Sequence, residues 1–399
     1  MKKNILIFSH AMEIGGAERA LLGLLGSIDY NKCNIDLFLM RHSGELMNLI
    51  PKEVNLLPEN KKYASLAVPI TQVIKNKNFS IALGRVLGKY KAELYAKSNK
   101  LNECYASIEY SHKYTKAFMP KISDKTYDLA ISFLTPHYFV TEKIDAKKKI
   151  AWIHTDYQYI NVDVESELKM WSAYNHIISI SDDVTRSFLS KFPTLKDKIV
   201  KIENISPKSF IISQSEITDA KNKIGNTAGT TLLSIGRFCE QKNFDNVPEI
   251  CSLIKQKGID VKWYLIGFGG DEELIKSKIR EFHMEDSVII LGKKDNPYPY
   301  IKACDIYVQP SRYEGKAVTV SEALILNKPV VITNYATAHS QLTDGVDGII
   351  APLDNQGCAD KTAELIMDKD LQNKLIENTK ANDYSNEKEI EKLYKLIEG

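Results

Sequence analysis

ACDIYVQPSRYEGKAVTVSEALILNKPVVIT, residues 303–333, reads as strand, loop, helix, strand. Residues 305–309 form a short β-branched and aromatic run that Pro310 stops. Lys328-Pro329 resets the chain before Val330, Val331, Ile332 and Thr333, the near-continuous apolar pattern of a parallel strand buried on both faces. Between the two strands Glu314 and Glu322 stand eight residues apart, Gly315 lets backbone approach a ligand closely, and a helix is predicted to begin near Ala317. Glu314 then lies in the loop at the positive helix end, with Glu322 about a turn and a half inside. Free N–H groups at a helix start attract anions. The stretch therefore suits a molecule with a phosphate, a hydroxyl-rich sugar on one side and a ribose on the other.

The same alternation extends in both directions. Strands are predicted at 231–236, 261–266, 287–291, 305–309, 329–333 and 348–351, and helices at 246–257, 271–282, 297–303, 317–326 and 357–368. Such alternation argues a doubly wound parallel sheet. Upstream, strands are predicted at 4–8, 33–40, 54–57, 127–133, 149–153 and 176–181. Gly15-Gly16, just before a helix at 17–22, can expose N–H groups to a phosphate, although glycines in such turns are common. His154 follows the 149–153 strand, at the carboxyl edge where open α/β sheets bind ligands. Ser181 or Asp182 caps the next helix, and the acidic pair Asp182-Asp183 suits the helix dipole better than a metal. Residues 200–207 close the first half, 208–230 form a connector with a helix at 215–223, and the tail 382–398 is helical.

Composition bounds the function class. At 399 residues two domains are expected, and 44% hydrophobic with 26% charged residues is the balance of a globular protein. No apolar run reaches the roughly 18 residues of a membrane span. Six cysteines without C-x-x-C spacing indicate neither zinc nor a disulfide framework, and a cytosolic protein is expected. Charge is uneven: residues 1–205 hold 29 Lys/Arg against 22 Asp/Glu, and residues 61–125 alone hold 13 against 4. In a predicted helix at 81–97, Leu83, Val86, Leu87, Tyr90 and Leu94 recur at helical spacing, with Arg85, Lys89, Lys91 and Lys97 on other faces. Two explanations stay open: an amphipathic helix packed on its own sheet, or a surface leaning on an anionic inner membrane leaflet.

Three further segments carry a family likeness: SIGRFCEQKNFD (234–245), LIGFGGDEELI (265–275) and LGKKDNPYPYIKACDIYV (291–308). With the opening stretch, and in the same order, they resemble the donor site of retaining GT-B glycosyltransferases of glycosyltransferase family 4. The resemblance implies an α/β fold of two Rossmann-like doubly wound parallel-sheet domains facing a cleft. Residues 1–205 would be the acceptor-side domain, with 383–399 packing back on it, and 206–382 the nucleotide-sugar domain. It also implies that Arg237 and Lys242 hold the diphosphate, that Glu314 lies by the sugar ring and reacting carbon, and that Glu322 accepts the ribose hydroxyls. Gly315, Lys316 and Ala317 would contact sugar or phosphate through their backbone, Gly267, Phe268, Leu291 and Gly292 the base, Gly15 and Gly16 the diphosphate or acceptor, and His154 the cleft. Lys316 departs from the family, which commonly has a bulky apolar or aromatic residue there.

The implied activity is a metal-independent, retaining transfer of a hexose or N-acetylhexosamine. The donor would be a nucleotide sugar, UDP-linked, acting as co-substrate with no cofactor. The acceptor would be a lipid-linked saccharide in bacterial surface-glycan assembly, at the inner face of the membrane, with no nucleic acid involved. A GT-B epimerase or hydrolase is the near alternative. A nicotinamide oxidoreductase fits worse, because Glu272 occupies the sixth position of the G-x-G-x-x-G pattern that starts at Gly267.

Overall fold

The computed structural model describes residues 2–101, 106–158, 160–217, 220, 224, 229–315 and 317–398. The chain forms two compact units, Met1–Ile205 with Lys388–Gly399, and Ser206–Glu387.

In the first unit, strands β1 (Lys3–Ser9), β2 (Cys33–Leu39), β3 (Asn55–Leu56), β4 (Thr126–Ser132), β5 (Asp145–Ile153), β6 (His176–Ser179) and β7 (Ile199–Lys201) form one parallel sheet. Its order is β3-β2-β1-β4-β5-β6-β7, with Ile5 opposite both Ile35 and Leu129. Ile5, Leu6, Ile7 and Phe8 are fully buried, as a strand covered on both faces requires. The helix Ile390–Glu398 buries Ile390, Leu393 and Ile397 in this unit. Tyr394 Oη there accepts from the Asp29 N–H at 2.7 Å, and Lys148 Nζ donates to the Leu396 carbonyl at 2.9 Å.

The second unit holds β8 (Thr230–Ile235), β9 (Val261–Ile266), β10 (Val288–Gly292), β11 (Ile306–Gln309), β12 (Val330–Thr333) and β13 (Ile349–Ala351), all parallel, in the order β10-β9-β8-β11-β12-β13. Each sheet reverses its winding once, between β1 and β4 and between β8 and β11. These switch points are where an open α/β sheet leaves a crevice at its carboxyl edge.

One expectation is corrected, and one of two open readings is excluded. The connector helix is Lys208–Glu216, starting directly after Pro207, whose fixed φ suits a helix start, and burying Ile211 and Ser215. The later part of the expected 215–223 helix lies mostly outside the described residues. The stripe from Leu83 to Leu94 does not pack inward. The helix Phe79–Ser98 turns Ile81, Gly84, Gly88 and Ala92 to the interior, and the larger side chains face out. Backbone contact explains the choice: a Cβ on Gly84 would meet the Tyr114 carbonyl oxygen at 2.7 Å, and one on Gly88 the Tyr110 carbonyl oxygen at 2.8 Å. The partner helix, Ala106–Thr115, thus approaches too closely for anything larger. Arg85 also leaves the expected basic face, donating to the Ser65 carbonyl at 2.8 Å and to the Val68 carbonyl.

Candidate functional site

In the second unit Arg237, Lys242, Gly267, Phe268, Glu314 and Gly315 lie on loops leaving the carboxyl ends of β8, β9 and β11, while Leu291 and Gly292 end β10 itself. After β8, Gly236 lets the Lys242 stem pass, since a Cβ there would be 3.2 Å from Lys242 Cδ and Cε. Lys242 ends a turn at Glu240–Lys242, and Asn243 follows in the left-handed region at φ 60°. After β9, Gly267 holds φ +157° with its α-carbon against the Gly236 carbonyl, where a Cβ would be 1.9 Å from the oxygen. Only glycine fits there. The Gly267 N–H donates to the Gly292 carbonyl at 3.1 Å, joining the β9 and β10 loops. Lys293 Nζ lies 5.3 Å from the half-exposed Phe268 ring, so the two loops expected to face a base meet.

After β11 the chain places Glu314 against Lys242, with Nζ to Oε1 at 2.5 Å and the side chains 17% and 5% exposed. Two further bonds orient that carboxylate and a third holds the backbone of Glu314. Ser311 Oγ donates to Oε1 at 2.7 Å, Gln241 Nε2 to Oε2 at 3.2 Å, and Thr337 Oγ1 to the Glu314 carbonyl at 2.8 Å. Behind Ser311, Gln309 Nε2 donates to its hydroxyl at 2.9 Å, and Tyr307 Oη donates to Gln309 Oε1 at 2.7 Å. Arg312 straps the same loop down, reaching both Asp245 oxygens at 3.0 and 2.7 Å. Sequence reasoning missed this chain, although a buried glutamine ending an apolar strand was a visible signal.

Ala317 caps the helix Val318–Ile325, within which Glu322 is buried and accepts from Tyr298 Oη at 3.0 Å. The negative fields of both Glu322 and Glu314 reach Tyr307, whose phenol burial already holds well above its usual range. Arg237 is exposed and has no ion pair among the described residues, and Gly315 is exposed beside Glu314. Lys316 lies outside the described residues.

The remaining expected residues belong to the first unit. Gly15 caps the helix Gly16–Ser27 in an extended conformation, and a Cβ on Gly16 would meet open space. Neither glycine is demanded by backbone strain. His154 follows β5 with its ring 4.5 Å from Phe133 and stacked 6.3 Å from Trp152. It belongs to a group of imidazoles of which His112 and His137 are buried and His10 and His154 part-buried. His10 lies 5.8 Å from His112, and His137 Nδ1 is 2.8 Å from Ser132 Oγ. Burial pushes His10 down to about 4 and His154 to about 3, and it holds His112 and His137 well below the usual range. All four are neutral at pH 7. Each keeps a buried ring nitrogen without a hydrogen-bond partner among the described residues. Nearby, burial raises Glu109 above the ordinary range and Glu167 to about 7.

Comparison with known proteins follows the same division. Residues 216–382 match the family profile of "Glycosyl transferases group 1". An uncharacterized glycosyltransferase of Haemophilus influenzae is 25% identical over 200 residues, 49% of this chain and 53% of that protein. A Campylobacter jejuni relative, named N-acetylgalactosamine-N,N'-diacetylbacillosaminyl-diphospho-undecaprenol 4-alpha-N-acetylgalactosaminyltransferase, is 26% identical over 190 residues, 46% of this chain and 51% of its own. The chain thus spans about half the length of these two relatives. Two solved structures are similar throughout, covering 100% of both chains at 15% identity. Anabaena HepE in complex with UDP has a TM-score of 0.62. A mutant of S. aureus TarM, in complex with fondaparinux, alpha-GlcNAc-glycerol and UDP, has a TM-score of 0.65. The fold class expected from sequence is borne out: α/β, with two Rossmann-like parallel sheets as in GT-B proteins.

Proposed function

We propose that the chain is a retaining, metal-independent glycosyltransferase that moves a hexose or N-acetylhexosamine from UDP to a lipid-linked saccharide, in bacterial surface-glycan assembly at the cytosolic face of a membrane. One observation carries the donor chemistry: Lys242 and Glu314 meet at 2.5 Å on the carboxyl edge beside the β8/β11 switch point. A departing diphosphate and an oxocarbenium-like sugar need opposite charges held close together in a partly dry place. Lys242 and the exposed Arg237 supply the cations, Arg237 as a fork that grips phosphate oxygens and Lys242 as a point charge. Glu314, fixed by Ser311 and Gln241, supplies the carboxylate beside the sugar. With two cations for the leaving group, no divalent ion and no cofactor is required. Glu322, oriented by Tyr298, takes the ribose hydroxyls, and His154 keeps a neutral imidazole at the carboxyl end of β5 in its own sheet.

UDP is favoured because both structural neighbours described above were solved with it. A lipid-linked acceptor and an α-linked product are favoured by the name of the C. jejuni relative, an α-transferase toward a diphospho-undecaprenol glycan, and an α-linked product from an α-configured donor is retention. Calorimetric titration with UDP in excess EDTA tests the donor site. Wild-type protein should bind, and Glu322→Ala should weaken binding by about 1.5–3 kcal/mol through lost charge-assisted bonds. Arg237→Ala should weaken it as well. UDP affinity indifferent to both substitutions would place the nucleotide elsewhere.

A further inference from the structure

The helix Phe79–Ser98 presents Phe79, Leu83, Val86, Leu87, Tyr90 and Leu94 outward, each between 41% and 67% exposed. Their spacing puts all six on one side of the helix. Scattered exposed apolar residues are ordinary, but a continuous stripe from Phe79 to Leu94 along a helix of 20 residues is not. The opposite side is committed, since Gly84, Gly88 and Ala92 are buried, the two glycines directly against the neighbouring helix. Rotating the helix to hide the stripe would drive bulky side chains into the Tyr110 and Tyr114 backbone.

The neighbouring helix is itself fixed to the body of the unit. Glu109 accepts from Ser166 Oγ at 2.7 Å and from Tyr138, Tyr110 donates to Asp163, and Lys113 Nζ donates to Ser166 Oγ at 2.5 Å. The stripe is therefore a rigid ridge. Lys89 and Lys91 flank it, one on each side by helical geometry, and Lys75, Lys77 and Lys97 lie toward its ends, all exposed. Glu93 is the one acid in the helix.

We infer that this ridge is a membrane-docking element that lies along an anionic bilayer surface, its apolar side chains among the acyl boundary and its lysines at the headgroups. It deepens the proposal of a membrane-bound acceptor by naming the part of the chain that makes the contact. Charge selects the occupant. A second copy packed antiparallel would bring Lys75 and Lys77 against Lys97, and a parallel copy would set each lysine cluster on itself. A bilayer of acidic lipids satisfies the lysines and the stripe together, because long lysine stems can reach the headgroup level while apolar neighbours bury. Among the described residues no helix is long and apolar enough to cross a membrane, so the contact is one of lying on the surface.

Vesicle flotation at low salt, with phosphatidylglycerol against phosphatidylcholine, tests it on the full chain. Wild-type protein should float with the acidic vesicles at least tenfold more than with the neutral ones, and Leu83→Asp/Leu87→Asp should reduce that binding more than tenfold with an unchanged thermal melt. Trp152, Trp171 and Trp263 are buried, so Leu83→Trp supplies a surface tryptophan whose emission should shift to the blue on acidic vesicles. The Asp variant should still hydrolyse a nucleotide sugar in solution, which separates this inference from the proposed activity. Equal flotation with both lipids, an unmoved Leu83→Trp emission, or an Asp variant that alters only self-association in sedimentation velocity would overturn it.

Discussion

Lys242→Met is expected to lower kcat/KM toward a nucleotide sugar by about 10²–10³, the loss typical of one preorganised donor to a developing negative charge. The effect should exceed that of losing an exposed cation, because Lys242 is only 17% exposed and its ammonium is already aimed by Glu314. Glu314→Gln should produce a drop of similar size by a different route, leaving a partly buried ammonium without its carboxylate. The two residues act as a unit, so the double variant should cost about as much as either single change rather than their sum. Steady-state kinetics on the four proteins, with thermal melts as a folding control, reads this directly. Multiplicative losses would mean that the 2.5 Å contact is incidental to turnover.

A second large effect is expected in acid. His10, His112, His137 and His154 have folded pKa values below the 6.5 of an unfolded histidine, so they add stability above pH 6.5 that is lost as pH falls. Each contributes a slope of about 1.4 kcal/mol per pH unit through the window that ends near its folded value. Glu109 and Glu167 act in the opposite sense: raised by burial, they take up protons in the folded state first and offset part of the loss until the unfolded carboxylates titrate near 4.5. With four imidazoles against two carboxylates the imidazoles prevail, so stability falls below pH 6.5 and falls more steeply once the unfolded carboxylates titrate, a sizeable part of a typical 5–15 kcal/mol stability. Trp152 and Trp171 report the first unit, and denaturant titrations at several pH values should show stability falling from pH 6.5 downward. His112→Phe, against the Phe139 ring at 5.0 Å, should remove about one proton from the slope. Flat stability between pH 6.5 and 4.5 would contradict the neutral imidazoles.

Local sequence signals reached far but unevenly. The apolar run from Val330 to Thr333 became strand β12 with both faces covered, because burial on two sides leaves only one compatible pattern. Lys242 and Glu314 were each recognisable by motif, yet their contact joins loops 72 residues apart and no period encodes it. Helical periodicity found the stripe from Leu83 to Leu94 but not its direction. The small residues Gly84, Gly88 and Ala92 set the orientation, since the closest approach between two helices favours the side with least volume. The imidazole group was equally hidden, its four members drawn from β-strand ends and helices far apart in the chain. The helices Val164–Ser172 and Lys369–Ala381 went unpredicted, although Asp163 and Asp368 cap them by accepting from Ser166 and Leu371.

The most direct measurement of the donor-site claim uses a panel of nucleotide sugars with water as acceptor, in excess EDTA. Released nucleoside diphosphate is quantified, and proton NMR reads the anomer of the first-formed sugar before it equilibrates. The expected result is UDP release without added metal, lost in Lys242→Met, and a product with the donor's anomeric configuration. Release of no nucleoside diphosphate from any donor, or a first-formed sugar of inverted configuration, would contradict it.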